Sequence, residues 1–115
     1  MESGASAIRD LRFNVERAGV AVEVAPSTTE NFLKSLSATP DFILADPPRT
    51  GLGRAVVSRL AEIKPRRITI VACDPATLAR DLPGLFAAGY HLHKLAMVDL
   101  FPQTFHIEAV AELST

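Results

Sequence analysis

Cysteine is nearly absent: Cys73 is the only one in 115 residues, so no disulfide can form within the chain. A single thiol fits a reducing, cytoplasmic setting. Charge of one sign is also lacking, because 12 basic and 13 acidic side chains leave a net charge of −1. No basic surface announces a nucleic-acid partner, so any such partner has to be argued from chemistry. No run approaches the roughly 18 apolar residues of a membrane-spanning helix, and no basic-then-apolar leader opens the sequence. Internal repeats, linkers and low-complexity tracts are missing too. What is present is a 48% hydrophobic composition, enough for one soluble domain or part of one.

Helical and strand patterns alternate. Ala5, Ile8, Leu11, Val15 and Ala18 recur at spacings of three and four, which predicts a helix over 4–18 stopped by Gly19. A short strand is expected over 20–25. Ser27 and Glu30 have capping-box spacing for a helix whose apolar face is Phe32, Leu33 and Leu36. Residues 41–45 read as a buried strand, running into a loop too rich in proline and glycine to continue it. Val56, Val57, Leu60 and Ile63 mark a third helix stopped by Pro65. Residues 68–72 are a continuous apolar run suited to a strand buried on both faces. Pro83 predicts a short helix to Arg80 and a second one capped by Asp81. Two strands, near 91–98 and 107–113, have no helix between them and are expected to pair antiparallel. The whole implies a doubly wound α/β sheet, whose ligand site lies at the carboxyl ends of its strands.

Asp46 and Cys73 fall at two such ends. Asp74 can cap the helix after Cys73, and Pro75 suits its first turn. The thiol is therefore expected beside a helix amino terminus, whose partial positive charge favours thiolate and hence nucleophilic chemistry. From the residues alone, a buried structural cysteine is the plainer alternative. Asp46 serves equally well as a cap for the turn at Pro47, and Arg49 and Arg80 as surface or ion-pair residues. Glu108 alone reads as an exposed strand carboxylate. His91 and His93 have no partners at ligand spacing, so no metal site is expected.

Three segments in order resemble the S-adenosylmethionine-dependent RNA uracil-5-methyltransferases acting on ribosomal and transfer RNA. Asp46-Pro47-Pro48-Arg49-Thr50-Gly51 is similar to the family's Asp-Pro-Pro-Arg-x-Gly loop. Cys73-Asp74-Pro75-Ala76-Thr77-Leu78-Ala79-Arg80-Asp81 resembles its Cys-Asn-Pro-Ala-Thr-Leu-Ala-Arg-Asp signature. Residues 98–108, with Phe101-Pro102-Gln103-Thr104 and His106-Ile107-Glu108, resemble its Phe-Pro-His-Thr-x-His-Val-Glu motif. Glu2, before a helix containing Asn14, resembles the family's acidic strand end.

The resemblance implies a Rossmann-like methyltransferase fold, mostly parallel with a carboxyl-terminal antiparallel strand. It implies Cys73 as covalent nucleophile, Glu108 as the closing base, Asp46 and Glu2 as donor contacts, S-adenosylmethionine as cofactor and RNA as partner. Asp74 stands in place of the usual asparagine, Gln103 in place of a frequent histidine and Ala72 in place of a serine. Amino-group methyltransferases place an aromatic residue after two prolines, where this chain has Arg49. No glycine-rich turn follows a first strand. Residues 1–115 are accordingly expected to form the carboxyl-terminal portion of a catalytic domain, with the first strand and the donor-binding glycine loop missing. Such a chain would be inactive alone, and its uncovered sheet edge would invite a homodimer. The alternative reading is a non-catalytic remnant that folds and self-associates or pairs with a missing half.

Overall fold

The computed structural model describes residues 1–104 and 106–115; Phe105, within the third motif, lies outside them. The chain divides into two compact units, Met1–Ser37 and Ala38–Thr115.

The first unit holds helices α1, Ala5–Ala18, and α2, Thr29–Ser35. Gly19 ends α1 in the left-handed region, φ 64°, with its amide donating to the Glu16 carbonyl. That conformation costs a residue without a Cβ little. The α2 cap is Thr28 rather than Ser27: its hydroxyl accepts from the Asn31 amide at 3.3 Å. The strand expected over 20–25 does not form. Its residues alternate, but alternation makes a strand only where a neighbour supplies a ladder. The pairing found is one parallel bridge between Glu2 and Pro26, with the Glu2 amide donating to Ala25 O at 3.1 Å and the Ser27 amide to Glu2 O at 2.8 Å.

The second unit is a four-stranded sheet with two helices, in chain order β1 (Phe42–Ala45), α3 (Gly53–Ile63), β2 (Arg67–Ala72), α4 (Pro75–Ala87), β3 (His91–Val98) and β4 (Glu108–Ser114). Spatial order is β1-β2-β4-β3. β1 and β2 are parallel, while β4 runs antiparallel to both β2 and β3, so three of four strands share a direction. The antiparallel pair expected at the carboxyl terminus is thus present, with its second strand inserted against β2.

Ile68, Ile70 and Ala72 stand in register with Leu113, Ala111 and Ala109, and all six are buried. They form the face packed against α4, which in turn packs on α3 through Val56, Val57, Leu60, Leu82 and Leu85. Each large aliphatic side chain so buried contributes about 1.5–3 kcal/mol. The opposite face, carrying Thr69, Val71 and Val110, is half-buried at best. β1 departs from the expected buried strand: Phe42 and Leu44 are 47% and 63% exposed because they point to the face that α4 leaves uncovered, while Ile43 and Ala45 are half-buried.

α3 stops just before Pro65, as expected, with Lys64 at φ 54° closing it. α4 differs from expectation and runs unbroken through Pro83. Leu78, Leu82 and Leu85, at spacings of four and three, reach the core together only if the helix continues. Their burial offsets the roughly 3 kcal/mol that an interior proline costs.

Candidate functional site at the carboxyl edge of the sheet

β2 ends at Ala72, and Cys73 occupies the bend before α4. Asp74 caps that helix as its sequence predicts, Oδ1 accepting from the Ala76 amide at 2.8 Å, with Pro75 in the first turn. The Thr77 hydroxyl donates to the Asp74 carbonyl at 2.9 Å and tightens the same turn. The thiol is half-buried and free.

Strand register fixes its neighbours. Ala72 pairs with Ala109, and Glu108 opens β4 one rung further on, opposite Val98. Glu108 therefore stands beside the position of Cys73, on a strand spaced about 4.7–4.9 Å away. On the other flank Ala45 pairs with Ile70, which puts Asp46 at the level of Val71, two residues before Cys73. Alternation then assigns faces. Leu44 pairs with Thr69 and Val71 with Val110, all on the face that α4 leaves uncovered. By the same alternation Glu108, two residues before Val110, lies on that face, while Asp46 and Cys73 follow directly after the ends of β1 and β2. The three lie at one edge of the sheet. Asp46 is exposed and Glu108 half-buried, and neither carboxylate has a hydrogen bond or ion pair among the described residues.

Glu2 belongs to the first unit. Its Oε1 accepts from the amides of Ser3 at 2.6 Å and Gly4 at 2.9 Å, and these donors hold its carboxyl below the usual carboxylate range.

Arg80 and Asp81 organise the edge. Asp81 does not cap the second helix that the sequence predicts, because α4 is continuous. Its buried carboxylate reaches across to the start of α3, where Oδ2 accepts from the amides of Leu52 at 2.7 Å and Gly53 at 3.4 Å. Leu52 has no capping side chain of its own, so α4 supplies the cap for α3. Arg80 donates to Asp81 Oδ1 through Nε at 3.0 Å and Nη2 at 2.9 Å, and to the Thr50 carbonyl at 2.7 Å. A separation of about thirty residues gave no local signal for these contacts. The proline loop is tied to the other flank as well, since Arg49 Nη2 lies 3.4 Å from His106 Nδ1.

Among the described residues no group of three His, Cys, Asp or Glu side chains is disposed to hold a metal ion. No described helix is long and apolar enough to cross a membrane. A depression lined by Asp41, Arg66 and Arg67 lies at the opposite, amino-terminal edge of the sheet.

Comparison with known proteins follows the same geography. Residues 30–115 match the family model of tRNA (uracil-5-)-methyltransferase. An uncharacterized RNA methyltransferase of Enterococcus faecalis is 46% identical over 97 residues, covering 84% of this chain and 20% of that protein. A Streptomyces coelicolor relative with the same description is 43% identical over 114 residues, 98% of this chain and 25% of that protein. The solved tRNA (uracil-54, C5)-methyltransferase of Pyrococcus abyssi, in complex with S-adenosyl-L-homocysteine, superposes with a TM-score of 0.82 at 35% identity, covering 96% of this chain and 27% of that one. A precorrin-6y C5,15-methyltransferase of Geobacter metallireducens, 13% identical with a TM-score of 0.77, shares the fold. The chain thus spans about a fifth to a quarter of the length of these RNA-methyltransferase relatives. On its family match and these identities, it belongs to the tRNA (uracil-5-)-methyltransferase family.

Proposed function

We propose that these residues carry the nucleophile and closing base of a cytoplasmic RNA uracil-C5 methyltransferase acting on transfer or ribosomal RNA. The observation that supports this reading is that Asp46, Cys73 and Glu108 all lie at the carboxyl edge of β1 and β2, where β4 begins.

The chemistry accounts for the residue types. C5 of uracil is a poor nucleophile. Addition of the Cys73 thiolate at C6 moves the ring double-bond electrons toward C5 and the O4 carbonyl, giving an enolate whose carbon end can accept an electrophilic methyl group. S-adenosylmethionine supplies that methyl group as a sulfonium. Glu108 then takes the C5 proton, the C5–C6 double bond reforms, and the C6–S bond breaks to return the thiolate. The turns at Pro47-Pro48 and Asp74-Pro75 are assigned as the walls that receive a base rotated out of its stack.

The residues fit the donor in part. Asp46 is exposed and unengaged among the described residues, and is assigned as a donor contact. Glu2 already has Oε1 committed to two backbone amides, leaving its second oxygen for a hydroxyl donor.

Trapping tests the reading. RNA bearing 5-fluorouridine at the target has no C5 proton to lose, so a full-length enzyme carrying this segment should form an adduct that survives denaturation. Cys73→Ala should abolish both the adduct and methyl transfer. An adduct on any other residue would remove the assignment.

A further inference from the structure

We propose that Arg80 and Asp81 are positioning residues which, through the 49–53 loop, set the start of β4 carrying Glu108 relative to Cys73. The meaning of this arrangement for catalysis rests on the function proposed above. The contacts form a directed chain. α4 begins directly after Cys73, and two turns later Arg80 holds the Thr50 carbonyl while Asp81 holds the Leu52 and Gly53 amides. Between those anchors Gly51 adopts φ 77°, and a Cβ there would lie 2.5 Å from Asp81 Oδ2 and 2.7 Å from Arg80 Nη2. The loop thus closes onto the ion pair with no room for a side chain. Arg49, at the head of the loop, then reaches His106, two residues before Glu108.

A guanidinium has donors only, so this contact requires His106 Nδ1 to accept, with the ring proton on Nε2. The proline loop thereby spans the open end of β2 from α4 to the start of β4. Charge favours the arrangement too. Asp81 is buried, yet it receives two backbone amides at a helix start and two bonds from Arg80, so its negative charge is compensated on every side the structure shows.

The test uses this chain and does not depend on catalysis, so it is independent of whether Cys73 proves to be the nucleophile. Amide hydrogen exchange at Leu52 and Gly53 reports the anchor, and the imidazole 15N shifts of His106 report the far end. Arg80→Ala should raise exchange at Leu52 and Gly53 by about tenfold or more, the loss expected for charge-assisted bonds, and shift the His106 imidazole 15N signals. Arg80→Lys should restore part of both, since an ammonium can still reach Thr50 but cannot form the fork. Arg49→Ala should shift the His106 signals while leaving Leu52 and Gly53 as protected as before. Asp81→Asn is the harsher variant, and exchange in β2 and β3 separates loop release from general unfolding. The proposal is overturned if Arg80→Ala leaves the loop or His106 unchanged, if its effect spreads evenly through β2 and β3, or if Arg49→Ala loosens Leu52 and Gly53 equally.

Discussion

Tyr90 shows how one side chain ties the ends of the second unit's elements together. It is buried, and its hydroxyl donates to the Pro65 carbonyl at 2.6 Å, joining the segment after α4 to the turn before β2. Burial raises its phenol above the ordinary value of 10.0. The native state therefore keeps this proton at pH values where the unfolded chain has lost it. The stabilisation is complete below pH 10 and declines as pH rises through the folded value. Urea unfolding between pH 8 and 11 should show that decline, and Tyr90→Phe should remove it. The same change should cost about 1–3 kcal/mol at neutral pH by leaving the Pro65 carbonyl unpaired. A parallel alkaline decline in Tyr90→Phe would assign the effect to another group.

Glu108 carries the sharper chemical expectation at this scale. If it removes the C5 proton, Glu108→Gln leaves addition and methyl transfer possible but stalls elimination. A methylated, covalently bound RNA should then accumulate on the full-length enzyme, detectable as a denaturation-resistant band carrying labelled methyl. Loss of activity without that species would make Glu108 a structural residue of the β4 start.

Among the elements, α3 and α4 pack against each other beside the loop that Arg80 and Asp81 hold. Gly84 lies against Val57: a Cβ at Gly84 would stand 2.5 Å from Val57 Cγ1. Gly84→Ala gains roughly 0.5–1 kcal/mol of helix preference but incurs an overpacking cost of about 1–3 kcal/mol. Net destabilisation is expected, relieved when Val57→Ala is added. Additive effects in the double variant would show that the helices do not meet there.

The elements also show where the sequence was readable. Strand ends at Asp46 and Cys73 were legible because proline and a capping aspartate punctuate them locally. The continuity of α4 was not: the proline rule is local, whereas the burial of Leu78, Leu82 and Leu85 that overrides it is tertiary. Asp81 was misread for the same reason, since its partners lie about thirty residues away in a loop whose path no spacing encodes. Residues 20–25 failed as a strand because a ladder needs a neighbour, and alternation cannot report whether one is present.

At the scale of the whole molecule, β1 decides what the isolated chain can do. Among the described residues β1 is an outer strand of the sheet, and Phe42 and Leu44 on it are 47% and 63% exposed. Exposed edge backbone beside apolar side chains favours pairing with another strand. A symmetric dimer through β1 is the arrangement one chain can provide for itself. Donor binding belongs to the same scale: the resemblance implies a glycine-rich turn after a first strand as the donor cradle, and no such turn follows a strand among the described residues. Asp46 on its own offers too few contacts to offset the several kcal/mol lost on immobilising a flexible ligand. Calorimetric titration of the isolated chain with S-adenosylmethionine should therefore show no micromolar binding, while light scattering should give a mass above that of the monomer. Micromolar binding by a monomeric chain would mean that the second unit's edge forms a sufficient donor site by itself, and the division of labour proposed between these residues and the rest of a full-length enzyme would have to be redrawn.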